Sequence, residues 1–264
     1  MHDPLESDAQ CARERLAQAC DTMTQALLTL LDTQASVAGQ IHTIRKLGKS
    51  LRGGFSLFEI EKSSAHKIQA IGRLLSGSRD AVSRLNTWHR LAWHGDPLVA
   101  EVVAGLLDHQ THSPTHRPPP KTIAWCVDHV ASARRALLDV PTPRLTAKIA
   151  RGLAKLERKT IRRCRKLHHN DEADFHEARK ALKAWLGAMG FLPNGFMPKD
   201  AKFEALAKLL GDENDLATLA GWLRNHGFTA KLAPDLWKTL KESRRSLQRQ
   251  AIKQAACLTS LPDA

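Results

Sequence analysis

The chain has 264 residues, with 40 Lys and Arg against 27 Asp and Glu and a formal charge of +13. That length buries a real core in one large domain or two lobes, and the charge speaks of an anionic partner: nucleic acid, an acidic surface or a phosphate polymer. Five widely spaced cysteines with no C-x-x-C pair give neither a zinc finger nor a redox pair and fit a reducing cytosol.

The opening MHDPLESDAQ lacks the basic and apolar regions of a signal peptide. Nowhere do about 18 apolar residues run together, so no membrane span is expected and the cytoplasm is the default location. Leu16, Ala19, Met23, Leu27, Leu30 and Leu31 recur at three- and four-residue steps, predicting a helix over about 5–38. The second helix, about 37–60, carries the most telling stretch, IHTIRKLGKSLR (41–52). His42, Arg45, Lys49 and Arg52 fall on one stripe, with Lys46 beside them. Ile41, Ile44, Gly48, Leu51 and Phe55 form a second stripe suited to a core. Like charges one turn apart cost about 0.2–0.5 kcal/mol per pair, so such a ladder weakens its own helix unless it meets an anion. FEIEK, ending that helix, is one residue short of the E-x-E-x-K pattern of triphosphate hydrolases and lies in no strand.

Residues 66–76 form a short helix. In LLSGSRDAVSRL (74–85), Gly77 reads as a stop and Ser78 as the N-cap of another helix. The segment near 97–108 is helical, whereas 111–120, ending in RPPP, is a loop. His109, His112 and His116 have no cysteine or carboxylate spaced to complete a metal site. Residues 121–139 return to helix with Arg134 and Arg135. PTPR (141–144) then breaks the chain into halves 1–140 and 141–264.

Residues 145–169 make the most basic helix. Lys148, Arg151, Lys155, Arg158, Arg162 and Arg165 step three, four, three, four, three, a stripe about 25 Å long. Leu145, Ile149, Leu153, Leu156, Thr160, Cys164 and Leu167 oppose it, and Glu157 alone interrupts the charge. A solvated helix face normally mixes signs.

NDEAD (170–174) reads as a helix start with acids at its N-terminus. FHEARKALK (175–183) follows, where His176, Arg179, Lys180 and Lys183 repeat His42, Arg45, Lys46 and Lys49 at an offset of 134. Gly187, Gly190, Pro193, Gly195 and Pro198 end that helix. LLGDENDLATL, inside a helix over 200–226, aligns with LLSGSRDAVSRL at an offset of 135 and pairs Asp215 with Asp80. The last helix, 234–256, carries Lys241 and the stretch ESRRSL, whose Arg244 and Arg245 mirror Arg134 and Arg135 at an offset of 110. The fold class is therefore all-α: two four-helix-bundle lobes related by an internal pseudo-two-fold repeat, with a basic groove.

The paired histidine-led ladders and the two L-L-x-G-type turns resemble the CHAD family, the conserved histidine α-helical domain, over nearly the whole chain. The resemblance implies two four-helix bundles facing each other across a basic channel that binds inorganic polyphosphate, and a role in targeting or organising polyphosphate granules. Three departures matter. One suggests a lopsided site with more charge from the second lobe: the opening helix has Arg13 and Arg15 but nothing like the stripe from 148 to 165. The family's ladder favours arginine where this chain has Lys46 and Lys49, and after Lys183 come Trp185 and Leu186, with no match to Arg52.

The residues argue the same way. A linear phosphate polymer has no bases or rings, so its receptor needs regularly spaced cations and no stacking platforms; arginine gives forked hydrogen bonds and lysine mobile point charges. Aromatics make up 5% of the chain and tyrosine is absent, which disfavours single-stranded nucleic acid. Duplex DNA remains an alternative through backbone contacts. No nucleophile, metal cluster or paired carboxylate accompanies Asp80 and Asp215, which are expected to order arginines or cap helices. Hence no catalytic residues, metal or cofactor are expected, and a phosphohydrolase is the third hypothesis. His42 and His176 have two readings, as phosphate donors or as groups that fix ladder geometry. In the first case affinity rises on acidification through the ordinary histidine range.

Overall fold

The computed structural model describes residues 4–32, 34, 36–60, 62–75, 77–112, 117–168, 171–193 and 201–259. Among them every regular element is helical, as the three- and four-residue periodicity requires. The helices are α1 (Pro4–Thr29), α2 (Val37–Leu57), α3 (Lys62–Leu74), α4 (Gly77–Leu91), α5 (Pro97–His112), α6 (Pro120–Leu138), α7 (Leu145–Cys164), α8 (Glu172–Met189), α9 (Ala201–Asn225) and α10 (Pro234–Thr259). A 3-10 turn, Thr142–Arg144, occupies the PTPR break.

The helices form two compact units. One comprises Met1–Ser76, His116–Ile161 and Lys180–Asp200, the other Gly77–Thr115, Arg162–Arg179 and Ala201–Ala264. The units thus interleave along the chain: α4 and α5 fall in the second with α9 and α10, and α7 and α8 each begin in one and end in the other.

In the first unit α1 packs on α2 and α6, α2 on α3, and α3 on α6, closing a four-helix ring. Its core takes Leu16, Met23 and Leu27 from α1, Ile44, Leu51 and Phe55 from α2, Ile68 and Ile71 from α3, and Val130 and Leu137 from α6. Each such side chain contributes about 1.5–3 kcal/mol on full burial. The apolar stripe read in α2 is buried throughout. Glycine lets other backbones close on α2. A Cβ on Gly53 would strike the Ala184 carbonyl oxygen and come within 2.8 Å of the Ala188 nitrogen, and one on Gly152 would strike the Leu57 carbonyl oxygen. In the second unit α5 packs on α4, α4 on α9 and α9 on α10. Trp88, Val103, Leu107, Leu219, Trp222, Leu223, Leu236 and Leu240 fill that core.

Several helix ends differ from the periodicity. The first helix stops at Thr29, where Leu30 and Leu31 donate to the carbonyls of Leu27 and Leu28 and the Arg117 guanidinium donates to those of Leu30 and Asp32. Those two carbonyls belong to the turn just past the helix, and a cation held at a helix C-terminus also suits the helix dipole. The second stops at Leu57: Ile60 N–H reaches back to Phe55 O at 2.9 Å, and Glu59 takes the left-handed position (φ 49°) that usually falls to glycine. α4 already starts at Gly77, so Ser78 lies inside the helix rather than capping it. α5 extends to His112, four residues beyond the apolar pattern, and Asp96 caps its start by accepting from Leu98 N–H at 2.9 Å. α7 ends at Cys164, where the chain tightens and Leu167 N–H bonds back to the Cys164 carbonyl at 3.2 Å, seating a buried Leu167. The start of α8 is as read: Asp171 Oδ1 accepts from Ala173 and Asp174 N–H at 3.0 and 3.1 Å. His116, Gly195, Pro198 and the side chains of Asp80 and His112 lie outside the described residues.

All five cysteines are thiols. Burial pushes the Cys164 and Cys126 thiols up to about 11. Cys20 rises to about 12, through burial first and then the charge of Asp21. Below pH 9 these three stay protonated and unreactive. Iodoacetamide at pH 8 should therefore label exposed Cys257 in the folded protein and reach Cys20, Cys126 and Cys164 only after denaturant is added, as peptide mass mapping would read. Early labelling of Cys20 would show that its helix opens easily.

Candidate functional site

Each basic stripe lies where its helix turns away from a core. On α2, His42, Lys46 and Lys49 are exposed, and Arg45 and Arg52 are half-buried. Arg52 faces a like charge: burial pulls its pKa down first, and Arg73 of α3 adds to the fall. Two cations set close together favour any anion that would lie near both.

On α7, Leu145, Ile149, Gly152, Leu156, Thr160 and Cys164 are buried, leaving Arg151, Lys155, Arg158 and Arg162 exposed and Lys148 half-buried. Arg165 is exposed but lies past the end of the helix, so the helical stripe runs from Lys148 to Arg162, about 21 Å. Among the described residues one carboxylate meets it. Glu59 Oε2, presented by the left-handed turn after α2, accepts from Arg151 Nε at 3.2 Å.

The α8 ladder is built differently. His176 is exposed, and its Nδ1–H donates to Asn214 Oδ1 at 3.2 Å. That bond occupies one ring nitrogen, so the ring can also donate to a phosphate only as imidazolium. Arg179 is half-buried; burial lowers its pKa, and Asp215 and then Glu213 partly restore it. Lys180 is exposed and Lys183 half-buried.

Arg179 points to a polar hub absent from the sequence reading. Buried Glu213 of α9 accepts at Oε1 from Arg244 Nε at 3.1 Å and Nη2 at 2.6 Å, and from Gln248 Nε2 at 3.1 Å. Arg244 Nη1 also donates to Glu172 at 2.6 Å. Burial alone would lower the Arg244 pKa, but the hydrogen bonds to Glu172 and Glu213 outweigh it and the net shift is upward. Nearby, Arg90 of α4 lies 2.8 Å from Asp212 and 3.6 Å from Asp215. Asp215 thus orders arginines, as its position suggested. The hub had a sequence signal. Glu213 interrupts the stripe Leu206, Leu210, Leu216, Ala220, Leu223 at a step where an apolar residue belongs, and an acid on a buried face needs a cation.

The Arg-Arg pairs of α6 and α10 share a division of labour. Arg134 is tied to Asp21 of α1, Nε to Oδ1 at 2.8 Å and Nη2 donating to Oδ2 at 3.1 Å, just as Arg244 is tied to Glu213. The second member of each pair, Arg135 or Arg245, is exposed, as is Lys241. The first arginine of each pair is an anchor and the second is available to solvent.

Chemically the arrangement offers rows of guanidinium and ammonium donors, the kind of group that pairs with anionic oxygens. Among the described residues no group of three or more His, Cys, Asp or Glu is placed to share a metal ion, and no helix is long and apolar enough to cross a membrane.

These features define an all-helical protein whose two histidine-led ladders and basic helix present cations in rows. Residues 22–224 match the family model of the CHAD domain, and the chain belongs to that family. In fold it is similar to the CHAD domain from the plant Ricinus communis, with 17% identity over 94% of this chain and 91% of that one and a TM-score of 0.64. It is also similar to PptA from Streptomyces chartreusis, with 14% identity over 94% and 97% of the two chains and a TM-score of 0.52. At these identities the likeness is one of fold. No curated protein matches the sequence.

Proposed function

We propose that the protein binds inorganic polyphosphate as a non-catalytic module, through the ladders of α2 and α8 and the stripe of α7, and so recruits or organises polyphosphate in the cytoplasm. One observation carries this reading: Arg151, Lys155, Arg158 and Arg162 stand exposed along one face of α7, and among the described residues one carboxylate, Glu59, is bonded to them, at Arg151. Membership of the CHAD family supports it. Repeating phosphates meet repeating cations with no need for stacking, and each contact releases condensed counterions, so affinity falls as salt rises.

Calorimetric titration with long-chain polyphosphate, beside duplex DNA of equal charge, tests the proposal. Arg151→Ala/Lys155→Ala should weaken polyphosphate binding roughly tenfold and reduce the slope of log affinity against log salt by about 1.5–2 units, the effect of two lost phosphate contacts. Arg45→Ala/Lys49→Ala should do the same. Equal affinity for both polymers would reduce the site to a general polyanion surface, and magnesium-dependent phosphate release would make it an enzyme. Affinity that rises on acidification, and loses that rise in His176→Gln, would put the imidazole on the ligand. A flat profile would leave it the task of holding Asn214.

A further inference from the structure

The second unit contains a cavity of about 620 Å³ between α9, α10 and the first turn of α8. Its chemistry differs from that of the ladders. Trp237, Ala220 and Leu240 supply apolar wall, while Lys238, Lys241 and Arg245 line it with cations. Trp237, Lys241 and Arg245 follow one another at four-residue steps, so they share one face of α10. Arg244 and Glu172 also line the cavity, but they are bonded to each other at 2.6 Å.

Trp237 is a fixed platform. Its indole N–H donates to the Phe228 carbonyl at 2.8 Å, and the Arg224 guanidinium lies over the ring, 5.3 Å from the centroid. A ring held at its edge and by a cation loses little freedom when a second flat group packs on it. A phosphate polymer has no flat or apolar part, so this wall adds nothing to its binding. The wall suits a ligand with an aromatic body and a short anionic tail. With the bonded Arg244 and Glu172 set aside, the lining keeps three cations, Lys238, Lys241 and Arg245, an excess that fits a tail of two phosphates.

We propose that this cavity binds a nucleoside diphosphate, its base against Trp237 and its phosphates on Lys238, Lys241 and Arg245. The assignment is independent of the polyphosphate reading, and inorganic pyrophosphate separates the two. The full chain is titrated calorimetrically with ADP and, separately, with pyrophosphate. ADP should bind at least about tenfold more tightly, the scale of one base stacked on an aromatic side chain. Trp237→Leu should remove that advantage and leave pyrophosphate binding unchanged, whereas Lys241→Gln should weaken both. Saturation-transfer NMR on the unaltered protein should show magnetisation passing to the adenine protons, a reading that does not depend on the variants folding. Equal affinity for ADP and pyrophosphate, no ADP binding, or adenine protons that receive nothing would each overturn the proposal.

Discussion

Glu213→Ala should destabilise the protein by about 3–5 kcal/mol, the usual result of removing one partner from a buried ion pair. Glu213 is 3% exposed, and its Oε1 takes three donors, two from Arg244 and one from Gln248. Without it the Arg244 side chain, 15% exposed, keeps its bond to Glu172 but loses its buried acceptor, and Arg179 loses one of the two charges that offset its burial. Water cannot readily replace the lost acceptor in so closed a position. Glu213→Gln retains a carbonyl oxygen for the donors and should cost less than alanine. The comparison is Asp21→Ala in the more open Arg134 pair, where about 0–1 kcal/mol is expected. Urea denaturation of the three variants decides the matter. A loss for Glu213→Ala as small as that for Asp21→Ala would mean that Arg244 does not need its acid and is available to a ligand.

Gly53→Ala should destabilise by about 1–3 kcal/mol or more, because the added methyl meets backbone and not a side chain that can rotate away. Its neighbours would be the Ala184 carbonyl oxygen, the Ala188 nitrogen and, at 3.1 Å, the Gly187 carbonyl carbon. Relief requires α2 and α8 to move apart, which would loosen the apolar contacts beside the crossing. Gly72→Ala in α3 is the matched control, since nothing lies within 4 Å of its added Cβ. There the removal of helical glycine should stabilise by about 0.5–1 kcal/mol. The two glycine-to-alanine changes thus carry opposite signs, and thermal melts distinguish them directly. A neutral Gly53→Ala would show that the crossing can open at little cost.

The helices were legible because their apolar residues keep strict steps, as Ile41, Ile44, Gly48, Leu51 and Phe55 do, all of them buried. Their ends were less so, because local turns decide them. The Arg117 guanidinium that closes α1 comes from 85 residues or more away in the chain, and no local pattern announces it. The cation rows could be read as rows, but their counter-charges could not. Arg134, Arg151 and Arg244 look alike in sequence. Asp21, Glu59 and Glu213 that meet them come from other helices or turns, so only packing separates an anchor from a solvent-facing cation. The compact units escaped the reading for a related reason. PTPR marks a real break in helix, yet the segments that pack together are drawn from both sides of it.

Glu59 gives the α7 stripe a resident occupant. Its carboxylate is tethered to the same chain, on a left-handed turn that holds it beside Arg151. An arriving phosphate therefore exchanges with it instead of entering an empty place. Arg151 is 61% exposed, and such a pair is worth about 0–1 kcal/mol, so the exchange raises the threshold for entry by no more than about fivefold. Chloride or orthophosphate, gripping one cation at a time, meets that threshold in full. A long polymer meets it once and spreads it over every other contact along the helix.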